Sequence, residues 1–266
     1  HAHGLLVAVC NRTAPQAAAL AQELGVVAGT PEELARTCEV IVTCVTADAD
    51  VLDLCRRIAA VATPGLVVVD MSTIASTSAI EAAATLRAAG GDFIDAPVSG
   101  GVEGARNGKL SVMAGGESTT LERVRPVLAC FAARITHMGP VGAGQNTKAV
   151  NQVLVAGIAQ AVTEGLALGE ALGLEADKLL PTLLAGAAQS WFLEKRGATM
   201  LRNEFGVGFK LALLHKDLVI VQQLARAAGT NRSVIDQSLA DFAELMRQGH
   251  GNDDISGLIR LKRRSE

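Results

Sequence analysis

Lys148 and Asn151 lie three residues apart near the start of a long apolar-periodic stretch. They follow a glycine-rich turn, Gly139-Pro-Val-Gly142-Ala-Gly144-Gln-Asn-Thr-Lys148-Ala-Val-Asn151. Residues at that spacing share a helix face. An ammonium and a carboxamide are thus aimed together at one small molecule. Such a pair can bind a carbonyl oxygen and hand it a proton.

Other segments offer complementary chemistry. In Asp95-Ala-Pro97-Val-Ser99-Gly100-Gly101, proline fixes the backbone and Ser-Gly-Gly exposes consecutive N–H groups beside a hydroxyl. Such a nest suits a carboxylate, although an ordinary glycine turn has the same composition. Asn11-Arg12-Thr13 follows an apolar run. Arg12 is a cation suited to a 2′-phosphate; the bland alternative is a polar turn. Cys44-Val-Thr46-Ala-Asp48 and Asp70-Met-Ser72-Thr73 each follow a strong strand pattern. Their hydroxyls suit either a ribose or the capping of the next helix. In Gly208-Phe-Lys210-Leu-Ala-Leu-Leu-His215-Lys216-Asp217, the last two residues read as a surface pair and His215 as a packed or capping residue. Histidines and cysteines show no metal-ligand spacing, so no metal is expected.

The elements that must position these groups change character along the chain. Strand patterns at Leu5–Val9, Glu39–Cys44, Leu66–Asp70, Phe93–Asp95 and Lys109–Ala114 alternate with helical ones at Pro15–Leu24, Val51–Ala62, Thr77–Ala89 and Leu121–Phe131. That alternation predicts an α/β doubly wound parallel sheet, with Leu5–Val9 as a buried strand. No convincing strand lies beyond residue 138; helices are expected over Thr147–Leu172, Glu175–Ala185, Leu193–Leu201, Leu211–Ala228 and Val234–Arg247. The first of these would span about 40 Å. The division is therefore placed at 1–138, a dinucleotide-binding Rossmann-like domain, and 139–266, an all-helical domain opened by a long interdomain helix. Leu5–Val9 behaves as the second strand of such a sheet. The expectation is that one βα unit with its glycine-rich phosphate loop, on the order of 20–30 residues, is missing before it.

Composition narrows the function classes. The net charge is −3, and there is no tyrosine and one tryptophan. This composition carries neither a basic stripe nor a base-stacking surface, so nucleic acid is not an expected partner. The run Arg260–Arg264 reads as a frayed, solvated end. The five cysteines are read as mostly buried and reduced, which points to the cytoplasm. Val150–Leu174 carries Asn151, Gln152, Gln160, Glu164 and Glu170, so it reads as a buried helix and not a membrane span. Small residues along it (Ala156, Gly157, Ala161, Gly165, Gly169) predict close helix packing and a homodimer or homotetramer. Trp191, Phe192 and Arg196 are candidates for shaping a substrate pocket, with Trp191 equally readable as core.

Taken together, these blocks resemble the β-hydroxyacid dehydrogenase family, in order and over nearly the whole chain from Leu5. The resemblance implies a cofactor, NADP by preference or NAD, contacted by Asn11, Arg12, Thr13, Val45, Thr46, Thr73 and Lys216. At Thr46 the family often has proline. It implies a small carboxylate substrate held by Ser99, Gly100, Gly101 and Asn151. Lys148 would be the catalytic lysine, with Asn151 orienting it and the substrate across an interdomain cleft, and Asp217 would be structural. Much of the family has asparagine four residues after the lysine; here that position is Gln152 and the asparagine is at plus three. The Asn-Gln pair looks most like the tartronate semialdehyde reductase branch. The implied activity is interconversion of a small β-hydroxyacid and its semialdehyde, of the tartronate semialdehyde, 3-hydroxyisobutyrate, glyoxylate or succinic semialdehyde type. Alternatives are an imine reductase-like enzyme, which usually lacks the lysine, and a non-catalytic oligomeric scaffold if the phosphate loop is naturally absent.

Overall fold

The computed structural model describes residues 1–206 and 208–263. The chain divides into two compact units, His1–Lys148 and Ala149–Glu266. The division falls inside one long helix; the division expected at Gly139 coincides with the end of a strand.

Unit 1 runs β1 (Ala8–Val9), α1 (Ala14–Leu24), β2 (Val27–Ala28), α2 (Pro31–Thr37), β3 (Val40–Thr43), α3 (Asp48–Ala59), β4 (Val67–Asp70), α4 (Ser76–Ala88), β5 (Asp92–Asp95), β6 (Val98–Ser99), α5 (Gly101–Arg106), β7 (Leu110–Gly115), α6 (Ser118–Leu128), β8 (Ala132–Gly139) and the start of α7 (Ala143–Ala171). The six-stranded sheet has the order β3-β4-β5-β7-β6, with β8 on β7. Strand β4 is the spine. Val67, Val68 and Val69 are fully buried, as β-branched residues covered on both faces should be. Alternation sends Val68 to one face, among Ile58, Ile74 and Leu86. Val67 and Val69 face the other way, among Ile94, Leu121, Val124 and Leu128.

Several expectations change here. The sheet is parallel across β3-β4-β5 and between β7 and β8, but β7 runs antiparallel to β5 and β6. Tight turns around Gly100 and Gly108 reverse the chain there, too short for a parallel crossover. Strand β8 had no clear sequence signal, because Ala132–Gly139 alternates only weakly between half-buried and exposed positions. Leu5–Val9 is not a buried strand. Only Ala8–Val9 is extended, pairing with β2 in a separate two-stranded sheet, and Leu5 and Val7 are half-exposed. The cysteines also depart from the reading: none of the five is in a disulfide, but only Cys55 is buried, while Cys10 and Cys44 are exposed at strand ends.

Unit 2 contains the rest of α7, then α8 (Ala176–Leu184), α9 (Trp191–Leu201), α10 (Leu211–Ala227), α11 (Ser233–Arg247), a 3-10 turn (Ile255–Leu258) and α12 (Ile259–Lys262). Its core joins Leu166, Met200, Leu211, Leu214, Leu218, Phe242 and Leu258. By length and composition α7 could cross a membrane, yet its polar residues are engaged within the unit. Gln160 donates to Asp241, and Glu170 pairs with Arg263. A side chain at Gly169 would stand 2.7 Å from the tip of the Leu179 side chain, so α7 and α8 pack closely there and Leu179 would have to shift to admit one. The basic run is pinned, not frayed: Arg260 stacks over Phe205 at 3.9 Å, Lys262 pairs with Asp241 at 2.8 Å and Arg263 with Glu170 at 2.8 Å. Arg264 lies outside the described residues. Trp191 is half-exposed with Arg196 5.6 Å from its ring centre, while Phe192 takes the core position.

Asp254 ties the segment before α10 to the 3-10 turn. One carboxylate oxygen accepts the N–H groups of Gly208 and Phe209 at 2.9 Å, and the other accepts Ser256 N–H at 3.0 Å. The Arg196 guanidinium lies 3.6 Å away. Asp254→Ala would leave these three N–H donors without their acceptor and remove the carboxylate facing Arg196. Chemical denaturation should show a loss of about 3–5 kcal/mol; a loss under ~1 kcal/mol would show that Asp254 is not the tie.

Candidate active site

The row Thr43, Asp70, Asp95, Gly115 crosses the sheet in register, ending β3, β4, β5 and β7. Loops leaving the carboxyl ends of parallel strands are where ligands bind in doubly wound sheets. Of the predicted residues of unit 1, Val45 and Thr46 follow β3, Thr73 follows β4, and Ser99–Gly101 run from the end of β6 to the start of α5, beyond β5; Asn11–Thr13 follow β1 in the separate two-stranded sheet.

Each loop is shaped by local bonds. Asn11 accepts the Thr13 N–H at 2.8 Å, a turn that leaves Arg12 exposed. Thr43 and Ser72 donate their hydroxyls to the same Asp70 oxygen, each at 2.7 Å, and Ser72 accepts Val45 N–H at 2.8 Å. Asp70 therefore braces two loops at once. Gly100 and Gly101 have φ of 128° and 62°, a region that favours glycine. A side chain at Gly100 would also press on Leu110 at 3.3 Å.

The lysine is set by a feature the sequence reading missed. Asp95 is fully buried. Its two oxygens accept Gly142 N–H at 2.8 Å and Gln145 N–H at 2.9 Å, at the first turn of α7. A carboxylate at a helix N-terminus meets orphan donors and the positive end of the macrodipole. The Gln145 carboxamide reaches back, donating to Ser72 O at 2.8 Å and accepting Ile74 N–H at 3.2 Å. One turn on, Lys148 is buried and its Nζ donates to Val98 O at 2.9 Å. The strand-turn 95–98 thus holds both the helix start and the ammonium, directly beside Ser99. Gly144 is required in this clamp, since a side chain there would strike Met113 O and Asp95.

In unit 2 the predicted residues form a second linked set. Lys216 pairs with Asp217 at 2.9 Å, Gln152 donates to Asp217 at 2.7 Å, and Asn151 donates to Gln152 at 2.8 Å. Asp217 and Gln152 are buried, so Lys216–Asp217 is not a plain surface pair. His215 is partly buried, and desolvation holds its pKa below the ordinary value.

No group of three or more His, Cys, Asp or Glu able to hold a metal occurs among the described residues. The donor set fits a dinucleotide instead. The exposed Arg12 and the polar Asn11 and Thr13 bring no carboxylate against a 2′-phosphate, and the Thr46 and Thr73 hydroxyls lie on neighbouring loops.

Burial pushes the Asp95 carboxyl up to about 6; the Gly142 and Gln145 N–H groups oppose the rise and Asp70 adds to it. A carboxyl whose pKa rises on folding holds its proton more tightly when folded. Its stabilising contribution is full at low pH and is lost as pH climbs from about 4 through about 6. Wild type should exceed Asp95→Asn in stability by roughly 2 kcal/mol more at pH 4.5 than at pH 7, read by urea denaturation. A margin that grows with pH would contradict this.

Comparison with known proteins identifies the family. Residues 1–139 match the family described as the NAD binding domain of 6-phosphogluconate dehydrogenase. Residues 142–262 match that described as NAD-binding of NADP-dependent 3-hydroxyisobutyrate dehydrogenase. An uncharacterized oxidoreductase of Shewanella frigidimarina is 36% identical over 97% of this chain and 90% of its own length. The 2-hydroxy-3-oxopropionate reductase of Escherichia coli is 40% identical over 63% of this chain and 57% of its own. The structure of 3-hydroxyisobutyrate dehydrogenase from Mycobacterium tuberculosis with L-serine superposes with a TM-score of 0.89 at 31% identity, covering 99% of this chain and 92% of that one. The chain belongs to the β-hydroxyacid dehydrogenase family, whose members are NAD(P)-dependent oxidoreductases.

Proposed function

We propose that this protein interconverts a small β-hydroxyacid and its semialdehyde with NADP or NAD, using Lys148 as general acid and base. The observation that carries the reading is the buried Lys148 ammonium held on Val98 O, next to the Ser99-Gly100-Gly101 turn. A carboxylate on that turn and a carbonyl oxygen on the lysine are the two ends of one short molecule. The bound nicotinamide supplies the hydride in reduction and accepts it in oxidation. In reduction Lys148 gives its proton to the carbonyl oxygen; in oxidation the neutral amine takes the hydroxyl proton. Val98 O restrains the amine so that the proton moves along one line. Asn151, on the same helix, orients the substrate.

Asn11, Arg12, Thr13, Val45, Thr46, Thr73 and Lys216 are assigned to the cofactor, with Arg12 favouring the 2′-phosphate of NADP. Lys148 and the carboxylate turn favour hydroxyacid over imine chemistry, since an imine needs neither. They also argue against a scaffold without catalysis. Five cysteines without a disulfide among them support a reducing compartment, the cytoplasm. Along α7 the residues Val150, Leu154 and Leu168, and Leu172 just after it, are each about 60% exposed. That apolar stripe supports a homodimer or homotetramer.

Lys148→Ala should lower kcat by 10²-fold or more while NADPH affinity, followed by fluorescence, stays near that of wild type. Turnover close to wild type would remove Lys148 from the chemistry. Arg12→Ala should weaken NADPH binding by about tenfold and leave NADH binding nearly unchanged. Equal losses for both cofactors would move the 2′-phosphate contact elsewhere.

A further inference from the structure

Gln145 is 3% exposed and sits on the first turn of α7, three residues before Lys148. Its backbone N–H is held by Asp95, so the side chain is not needed to cap the helix. The carboxamide instead reaches the loop after β4. Ser72 O can only accept and Ile74 N–H can only donate, so the amide has one orientation. Nε2 donates to Ser72 O at 2.8 Å and Oε1 accepts Ile74 N–H at 3.2 Å. The two bonds flank Thr73 on either side. Ser72, itself held by Asp70, also accepts Val45 N–H, so the loop after β3 joins the same network. Burying a carboxamide is costly unless its groups are bonded. An apolar side chain of similar size would fill the space without that requirement, so packing alone does not account for glutamine here.

We propose that Gln145 is a positioning residue that keeps the cofactor loop after β4 in register with Lys148. Residues 145 and 148 share one face of α7. From that face one side chain grips the backbone around Thr73, and the other reaches Val98 O at 2.9 Å. The proposal rests on the reading above, in which Thr73 meets the cofactor and Lys148 gives the proton. Hydride and proton then reach one carbonyl from groups referenced to a single helical turn. Misplacing reacting groups by about 1 Å can cost about a hundredfold in rate. Without the Gln145 side chain, the loop keeps its bonds to Asp70 but loses its tie to the helix that carries the lysine. The loss falls on turnover more than on cofactor affinity, since the other assigned cofactor contacts lie on other segments.

The test compares wild type with Gln145→Met and Gln145→Glu, using NADPH with 2-hydroxy-3-oxopropanoate and with 2-methyl-3-oxopropanoate. Methionine keeps the length of the side chain and removes both hydrogen bonds. Gln145→Met should lower kcat by roughly tenfold to a hundredfold, with NADPH affinity, followed by fluorescence, close to that of wild type. Gln145→Glu gives a readout that a merely structural role would not move. A protonated carboxyl has the shape of the amide, with an O–H for Ser72 O and a carbonyl for Ile74 N–H. Once ionised it has no donor for Ser72 O. Burial and the nearby Asp70 and Asp95 favour the protonated form, and Lys148 opposes them. The kcat of Gln145→Glu relative to wild type should therefore rise as pH falls from about 8.5 to about 6.5, while that of Gln145→Met stays flat. A folded Gln145→Met variant with wild-type kcat overturns the proposal, as does a loss of NADPH affinity with kcat kept. A Gln145→Glu ratio that does not rise toward low pH also overturns it, and decides the matter if Gln145→Met does not fold. Absence of turnover with either substrate in wild type overturns the hydroxyacid reading and this proposal with it. Wild-type turnover with unaffected variants overturns this proposal alone.

Discussion

The geometry of unit 1 depends on one buried carboxylate. Asp95 ends a central strand and takes two backbone N–H groups from the first turn of α7. Burial alone makes that charge costly, and its pKa rises accordingly. The helix donors offset part of that cost and in exchange are fixed in place. Lys148, one turn further, inherits the position. The same short segment supplies Val98 O to the ammonium, so backbone and side chain are referenced to one point. A side chain at Gly115 would strike the Asp95 carboxylate, and one at Gly144 would strike the backbone carbonyls of Met113 and Asp95 as well as that carboxylate.

A second buried carboxylate does comparable work in unit 2. Asp217 pairs with Lys216 and fixes Gln152, which fixes Asn151. Here the product is polarity, not position: a group that can only accept sets the direction of every donor behind it. Both arrangements use carboxylates that the proposed chemistry does not touch. That is economical, because a group outside the reaction does not change charge during turnover.

The spacing of Lys148 and Asn151 was legible because helical period and residue chemistry coincide there. The spine strand Val67–Asp70 and the helical second half were legible for the same reason, their apolar periods being strong. The reversal at β7 was not, because direction depends on turn geometry that a run of apolar residues does not encode. Leu5–Val9 read as buried because branched residues usually are; in the structure it has one strand neighbour among the described residues and stays half-exposed. The roles of Asp95 and Gln145 were hidden by distance in sequence, since an aspartate after a strand looks the same whether it faces a ligand or a helix start. Gln152 was visible only as a departure from the family pattern, and its partner Asp217 lies on another helix.

The central claim is that the 99–101 turn and Lys148 receive the two ends of one hydroxyacid. A crystal structure of the protein with 2,3-dihydroxypropanoate tests it directly. The account predicts the carboxylate on the N–H groups and hydroxyl of Ser99–Gly101, and the 3-hydroxyl within about 3 Å of Lys148 Nζ. A hydroxyacid bound elsewhere, or bound there with its hydroxyl turned away from Lys148, would contradict it.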